Sequence, residues 1–203
     1  MAGGSGSGKS TLARELRLRL TASGEQAIVL PLDAYYLDLR HLSFAERADR
    51  NFDHPEALDW KLLHEHLDAL GGNKPARQPH YDFASHTRSA GEDEIAPGGV
   101  VILEGLFALW SDRALAMQTL GVWVDASEAI RFQRRLGRDA AERGRTEGSV
   151  RRQWSESVEP MFREHIAPTR ARASLIVDGE GSLAAAVESA WRAWEQRLGT
   201  PKL

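Results

Sequence analysis

Gly3-Gly4-Ser5-Gly6-Ser7-Gly8-Lys9-Ser10-Thr11 opens the chain, and its reading decides the fold. It fits G-x-x-x-x-G-K-[ST], the pattern of an anion cradle. Glycines let the backbone turn tightly, so that successive amides point inward at phosphate oxygens. A helix starting near Gly8 adds the positive end of its dipole, Lys9 reaches the β- and γ-phosphates, and the Ser10 hydroxyl ligates Mg²⁺. A Gly/Ser linker would share the opening composition. The amphipathic run that follows, with Leu12, Ala13, Leu16 and Leu20 on one stripe until Gly24, favours a loop feeding a helix. All nine residues from Gly3 to Thr11 are therefore candidates for holding a nucleotide's phosphates. Such a loop hangs from the C-terminal end of a buried strand, whereas Met1 and Ala2 are too few to build one. The expectation is a chain start placed late, or else a sheet without its central strand.

Working outward, short apolar runs alternate with helical patterns. Ala27 to Leu32 reads as a buried strand delivering Asp33 at its end, where open α/β sheets bind ligands. Val100-Val101-Ile102-Leu103 is a continuous apolar run of the kind parallel sheets require, and it ends in Glu104-Gly105. Gly121 to Asp125 and Leu175 to Val177 are further strands. Helices are expected over about 59–70, 127–143, 148–166 and 182–198, with a polar helix-like segment after Ser43. Pro55 disfavours helix at His54, and Pro75 to Arg88 reads as extended chain with aromatic residues at alternate positions. The alternation predicts an α/β fold of P-loop NTPase type: three layers, a mostly parallel sheet, helices on both faces. Within a single domain over 1–203, a substrate-binding excursion spans about 34–95 and an Arg-rich lid about 135–150.

At 203 residues the chain is long enough for one substantial core. A net charge of −3 with interspersed signs gives no nucleic-acid or membrane footprint. Absence of cysteine excludes disulfides and thiolate metal sites. No run approaches a membrane span and no signal-peptide layout precedes the loop, so a cytoplasmic protein is expected.

Phosphoryl transfer needs charge neutralisation, a metal and an oriented nucleophile. Lys9 and the loop supply the first, and Glu104 stands where an acid would hold Mg²⁺ opposite Ser10. Asp33 is placed to take a proton from an alcohol. Both acids could instead cap helices, and Tyr81, Phe83 and His86 could be a small satellite core. Arg131, Arg134, Arg135, Arg138, Arg143 and Arg145 have few acids nearby and would repel one another without an anion, which suggests a lid closing on phosphates rather than a solvated face.

Taken together these stretches resemble the uridine kinase (uridine-cytidine kinase) family of the phosphoribulokinase/uridine kinase group. The resemblance rests on the loop, Asp33-Ala34-Tyr35-Tyr36, Asn51-Phe52-Asp53-His54-Pro55, Tyr81-Asp82-Phe83 with His86 and Arg88, Glu104-Gly105, and Arg138-Asp139 leading to Glu142-Arg143-Gly144-Arg145. It implies ATP with Mg²⁺, held by Ser10 and Glu104, and Asp33 as base for a ribose 5′-hydroxyl. It further implies Asp53 on the ribose hydroxyls, and Tyr36, Tyr81, Phe83, His86 and Gln153 around the nucleobase. Arg135 becomes a substrate contact, while Arg138, Arg143 and Arg145 close on the phosphates with Lys9. The implied product is a pyrimidine nucleoside 5′-monophosphate and the implied assembly a homotetramer. Three departures stand out: the absence of the strand expected before the loop, Ala173-Ser174 where the family often has Ala-Asp, and Tyr35 where Phe is common. Another alcohol as acceptor and a catalytically silent ATP-binding module are the rival readings.

Overall fold

The computed structural model describes residues 1–198, excepting the side chains of Arg143 and Leu198. Four strands and a two-residue stub form the central layer. Strand β1 (Ala27–Pro31) runs parallel to β4 (Val100–Glu104), and β5 (Val122–Asp125) runs parallel to β6 (Leu175–Asp178). Met1 and Ala2 join the two pairs. The Met1 amino group donates to Leu103 O at 2.7 Å and the Gly105 amide to Met1 O at 3.2 Å, while Ala2 N donates to Val122 O at 2.8 Å and Val124 N to Ala2 O at 2.9 Å. The expected central strand is thus represented at its C-terminal end alone, by one parallel bridge between Ala2 and Trp123. Beside the stub, an apolar cleft of about 370 Å³ opens between β4 and β5, walled by Met1, Leu16, Leu20, Ile102, Val122 and Trp194.

Helices cover both faces, because each amphipathic stripe needs a sheet face to bury against. On one face, α1 (Lys9–Ala22) packs Leu12, Ala13, Leu16 and Leu20 with Ile102, Val122, Val124 and Val177, joined by Trp191 and Trp194 from the last helix. The other face buries Leu30, Leu32, Tyr35, Leu63, Leu67, Phe107 and Trp123. The short α2 (Phe44–Ala48) is fixed by a Ser43/Glu46 capping box, and α3 (Trp60–Gly71) starts where the Asp59 side chain accepts from Leu62 N.

The excursion contains an antiparallel hairpin, β2 (Ala76–Asp82) with β3 (Thr87–Ile95), whose register shifts between Pro79 and Tyr81. Proline has no amide to give the ladder, which is why the irregularity falls there. Helices α4 (Asp112–Met117) and α5 (Glu128–Arg143) flank β5. The helix expected over 148–166 is four pieces: α6 (Glu147–Gln153), a π turn (Trp154–Val158), α7 (Glu159–Met161) and a second π turn (Phe162–Ile166). The final helix, α8 (Leu183–Leu198), closes the chain. Among the described residues no helix is long and apolar enough to cross a membrane.

Candidate active site

The loop from Gly3 to Gly8 lies where the strand stub meets α1, and most of it is buried. Gly6 has φ +80° and a Cβ built there would stand 2.2 Å from Arg131 O, so two constraints together admit only glycine. Gly8 (φ +98°) caps α1, and the α1 start presents Lys9, Ser10 and Thr11. A cavity of about 380 Å³ runs from these residues past Arg134 and Arg138 to Asp178, Gly179 and Gly181. The far wall, after β6, was not among the sequence candidates because nothing in Asp178-Gly179-Glu180-Gly181 distinguishes it from a turn.

The three groups expected at the sheet edge come together. Ser10 Oγ donates to Glu104 Oε2 at 3.2 Å. Burial holds the Glu104 carboxyl above the ordinary carboxylate range; Lys9 pulls it down, and Asp33 pushes it up again. Neither acid serves as a helix cap: Glu104 ends β4, and Asp33 sits inside the 3₁₀ turn Leu32–Tyr35 that follows β1. Among the described residues the Asp33 carboxylate makes no hydrogen bond, and its charge acts on Glu104, Asp53, Tyr36 and Tyr81 together. A hydroxyl and carboxylate oxygens are the donor set of a hard divalent cation that keeps waters and substrate phosphates as its remaining ligands. The residues present therefore fit Mg²⁺.

On the other side of Asp33 lies an aromatic wall. Tyr36 and Tyr81 have centroids 5.1 Å apart, and Phe83 meets Tyr81 edge-on at 5.3 Å. His86, in the left-handed region at φ 53°, stacks on Phe52 at 5.3 Å with 15° between planes. The Tyr36 hydroxyl donates to Phe52 O at 3.1 Å, and burial followed by Asp33 and Asp53 raises its pKa well above the tyrosine range. Tyr81 Oη is buried without a hydrogen-bond partner, and Phe83 is 40% exposed. This aromatic set forms one connected group, continuous with the core through Tyr36, Phe52 and Tyr81. Phe52, which the sequence offers within Asn51-Phe52-Asp53-His54-Pro55 without a role of its own, belongs to it.

Arg135 links loop and wall. Its Nη1 donates to Ser5 Oγ at 2.9 Å and lies 3.9 Å from Asp53 Oδ1, while Nη2 donates to Gln153 Oε1 at 2.7 Å. Burial lowers its pKa, opposed by Asp53 and Asp139. Asp53 is buried, so its carboxyl is raised despite Arg135, with Asp33 adding to the rise. Ser157 Oγ, also missed, donates to Asn51 Oδ1 at 2.8 Å and stands 3.5 Å from Asp53 Oδ2. Gln153 Oε1 takes a second donor from Arg145 at 2.5 Å, which leaves its amide N–H groups for another partner.

The arginine run differs from its expectation in one respect. Asp139, fully buried, gathers Arg138 at 2.8 Å, with Arg135 and Arg145 both at 3.5 Å. Arg131 pairs with Glu159, and Arg134 donates to the carbonyls of Ser7 and Gly179 at 3.3 and 2.7 Å. Buried carboxylates thus offset part of the run's charge, Asp139 and Asp53 beside Arg135, Arg138 and Arg145, and Glu159 beside Arg131, and the remainder stays positive. Arg138 lines the cavity beside the loop, whereas Arg145 is turned to Gln153 on the aromatic side. The Arg143 side chain lies outside the described residues.

A family model described as "Phosphoribulokinase / Uridine kinase family" matches residues 1–183. The chain belongs to that family. It is 46% identical over 181 residues to a protein named uridine kinase from Deinococcus deserti, covering 89% of this chain and 86% of that one. A protein of the same name from Halobacterium salinarum is 41% identical over 185 residues, covering 91% and 81% respectively. Among solved structures, phosphoribulokinase from Rhodobacter spheroides superposes with a TM-score of 0.60 at 17% identity, over 89% of this chain and 71% of that one. D-glycerate 3-kinase from Cryptococcus neoformans superposes with a TM-score of 0.59 at 18% identity, over 89% and 85%. These likenesses carry the fold: a P-loop kinase sheet with helices on both faces.

Proposed function

We propose that the protein transfers the γ-phosphoryl group of ATP to the 5′-hydroxyl of uridine or cytidine, giving the nucleoside monophosphate. The observation that carries this reading is the place of Asp33. Among the described residues its carboxylate makes no hydrogen bond, and its charge reaches both Glu104, bonded to Ser10 at the phosphate loop, and Asp53, Tyr36 and Tyr81 of the aromatic side. That is where a base must lie to take the proton from an acceptor hydroxyl facing a γ-phosphate.

In this reading the loop amides and Lys9 hold the phosphates. Arg138 adds positive charge beside the loop, with Arg143 and Arg145 completing the lid over 135–150. Ser10 and Glu104 would hold Mg²⁺, which would supply positive charge against the phosphates. Tyr36, Tyr81 and Phe83 offer π-faces to a flat base. His86 and the free N–H groups of Gln153 read its polar edge, and buried partners reject analogues that leave them unsatisfied. Asp53, with Arg135 and Ser157 near its oxygens, holds the ribose hydroxyls. A cytoplasmic homo-oligomer, a tetramer, belongs to the same reading, and light scattering on the eluting protein measures that assembly.

The test is ADP release with product mass, using Mg·ATP and a panel of uridine, cytidine, adenosine and ribulose 5-phosphate. Turnover confined to the pyrimidine nucleosides is expected. Turnover on the sugar phosphate alone, or ATP binding with no acceptor phosphorylated, overturns the assignment.

A further inference from the structure

Arg131 does not line the cavity beside the loop, and at 2% exposure it is one of the most buried charges among the described residues. Its Nε donates to Ala126 O at 3.3 Å and its Nη2 to Glu159 Oε2 at 2.9 Å. The guanidinium plane sits 3.8 Å from the Phe162 ring centroid and 5.4 Å from that of Trp154. Nη1 is buried without a hydrogen-bond partner. The other surface of the same residue carries the phosphate loop. A Cβ built on Gly4 would lie 2.7 Å from Arg131 Nη1 and 2.8 Å from its Cδ, and one built on Gly6 would lie 2.2 Å from its carbonyl oxygen. Two loop glycines therefore rest directly on this one side chain and its backbone.

A buried ion pair is weak evidence of stabilisation, because desolvating both charges offsets their attraction and an apolar pair of the same volume often does as well. What a planar, bidentate guanidinium provides instead is geometry. Glu159 is well placed to fix that geometry. It is buried in α7 between two π turns, a form of helix frequent at functional sites, and its second oxygen accepts from Arg163 Nε at 2.9 Å. The arm that carries Glu159 also carries Trp154, next in sequence to Gln153.

We infer that Arg131, held by Glu159 and stacked on Phe162, is a positioning residue that sets the curvature of the phosphate loop and ties the loop to the arm bearing Gln153. Neither residue meets the substrates. The pair acts through Gly4 and Gly6, whose backbone must keep its shape for the amides to converge on a phosphate.

The inference rests on the ATP reading of the loop and is indifferent to which acceptor is used. It is tested by binding of a fluorescent ATP analogue with Mg²⁺, alongside steady-state kinetics and thermal melts. In the double variant R131M/E159M both charges go and the volume stays filled, so the melting temperature is expected to stay within a few degrees of the native value. The analogue's Kd and the KM for ATP rise tenfold or more, kcat falls less than threefold, and the nucleoside Kd measured without ATP is unchanged because Arg135 and Arg145 still hold Gln153. R131K supplies a second measurement: it keeps the charge, loses the fork and the stacked plane, and is expected to raise the KM for ATP several-fold with Tm intact. A native KM for ATP in either folded variant overturns the inference, as does a loss confined to nucleoside binding. A native chain that fails to bind the analogue overturns instead the ATP reading beneath it.

Discussion

Replacing Asp33 by Asn separates the site's chemistry from its architecture. The substitution keeps shape and removes one charge and the capacity to accept a proton. Asp33 makes no hydrogen bond to the rest of the described protein, so no partner is orphaned. Its negative charge raises the pKa of the two other carboxyls it acts on, Asp53 and Glu104. D33N should therefore leave stability unchanged or raise it by up to about 1 kcal/mol of relieved like-charge repulsion, a Tm shift of about 2–4 °C for a chain of this length. Loss of a general base costs about 10²- to 10⁴-fold in kcat, or about 2.7–5.4 kcal/mol on the barrier. The expected pattern is an enzyme that is far slower and no less stable, with the affinity for ATP within about threefold of native, since the loop contacts are untouched. Single-turnover phosphorylation, calorimetric melts and titration with an ATP analogue read the three quantities. A kcat within threefold of native refutes Asp33 as the base. A Tm lowered by several degrees refutes the like-charge reading, because it would mean that the carboxylate is bonded in the fold.

The remaining predictions concern the parts around it. Gly6→Ala must displace the Arg131 carbonyl and adopt a positive φ, so analogue binding should be lost while melts show a destabilisation of about 1–3 kcal/mol; undiminished binding would show that the loop tolerates a side chain. Asp139→Asn leaves Arg135, Arg138 and Arg145 without their shared carboxylate, and breaking so buried a cluster should cost about 3–5 kcal/mol in urea unfolding, against no change if the arginines are independent. Asp53 and Glu104 titrate above their unfolded values because burial disfavours their charged forms. Their contribution to stability is thus fully present below the unfolded pKa and is lost as pH rises through the folded one. Activity runs the opposite way, because Mg²⁺ needs Glu104 ionised. Lowering the pH from 7 toward 5 should raise the Mg²⁺ concentration for half-activity while the melting temperature contribution of these two acids increases, and E104Q should abolish that pH dependence of the Mg²⁺ requirement.

Local rules made the strands and the loop legible. Continuous apolar runs at Ala27 to Leu32 and Val100 to Leu103 can only be buried on both faces, and each ends in an acid at the edge where the glycine loop also arrives. What escaped the sequence was set by contacts between distant segments. Nothing in Trp154 to Ile166 distinguishes π turns from α-helix, because the difference of one residue per hydrogen bond is decided by what the arm packs against. Phe52 and Ser157 became visible as site residues once the fold carried them against His86 and Asp53. One acid facing the arginine run was equally hidden, since Glu159 lies 28 residues beyond Arg131 and only the fold brings it there.

The spacing of that run explains why one helix can serve the whole loop. Arg131, Arg134, Arg135 and Arg138 stand at i, i+3, i+4 and i+7, which is one face of an α-helix with about 5.4 Å between turns. Along α5 this face lies against the loop. Arg131 lies under Gly4 and Gly6, Arg134 holds the carbonyls of Ser7 and Gly179, Arg135 holds the Ser5 hydroxyl, and Arg138 lines the cavity above Lys9. A phosphate loop has its amides turned inward, so its carbonyls point outward and gather negative potential at its back. A row of guanidinium donors answers that potential, and the buried carboxylates of Asp139 and Glu159 keep the row from repelling itself. A solvated charge run would tolerate a change of phase along the helix. This one would not, because rotating α5 by a single residue, about 100°, would take the Arg134 and Arg135 donors off the loop and Arg131 out from under Gly4 and Gly6.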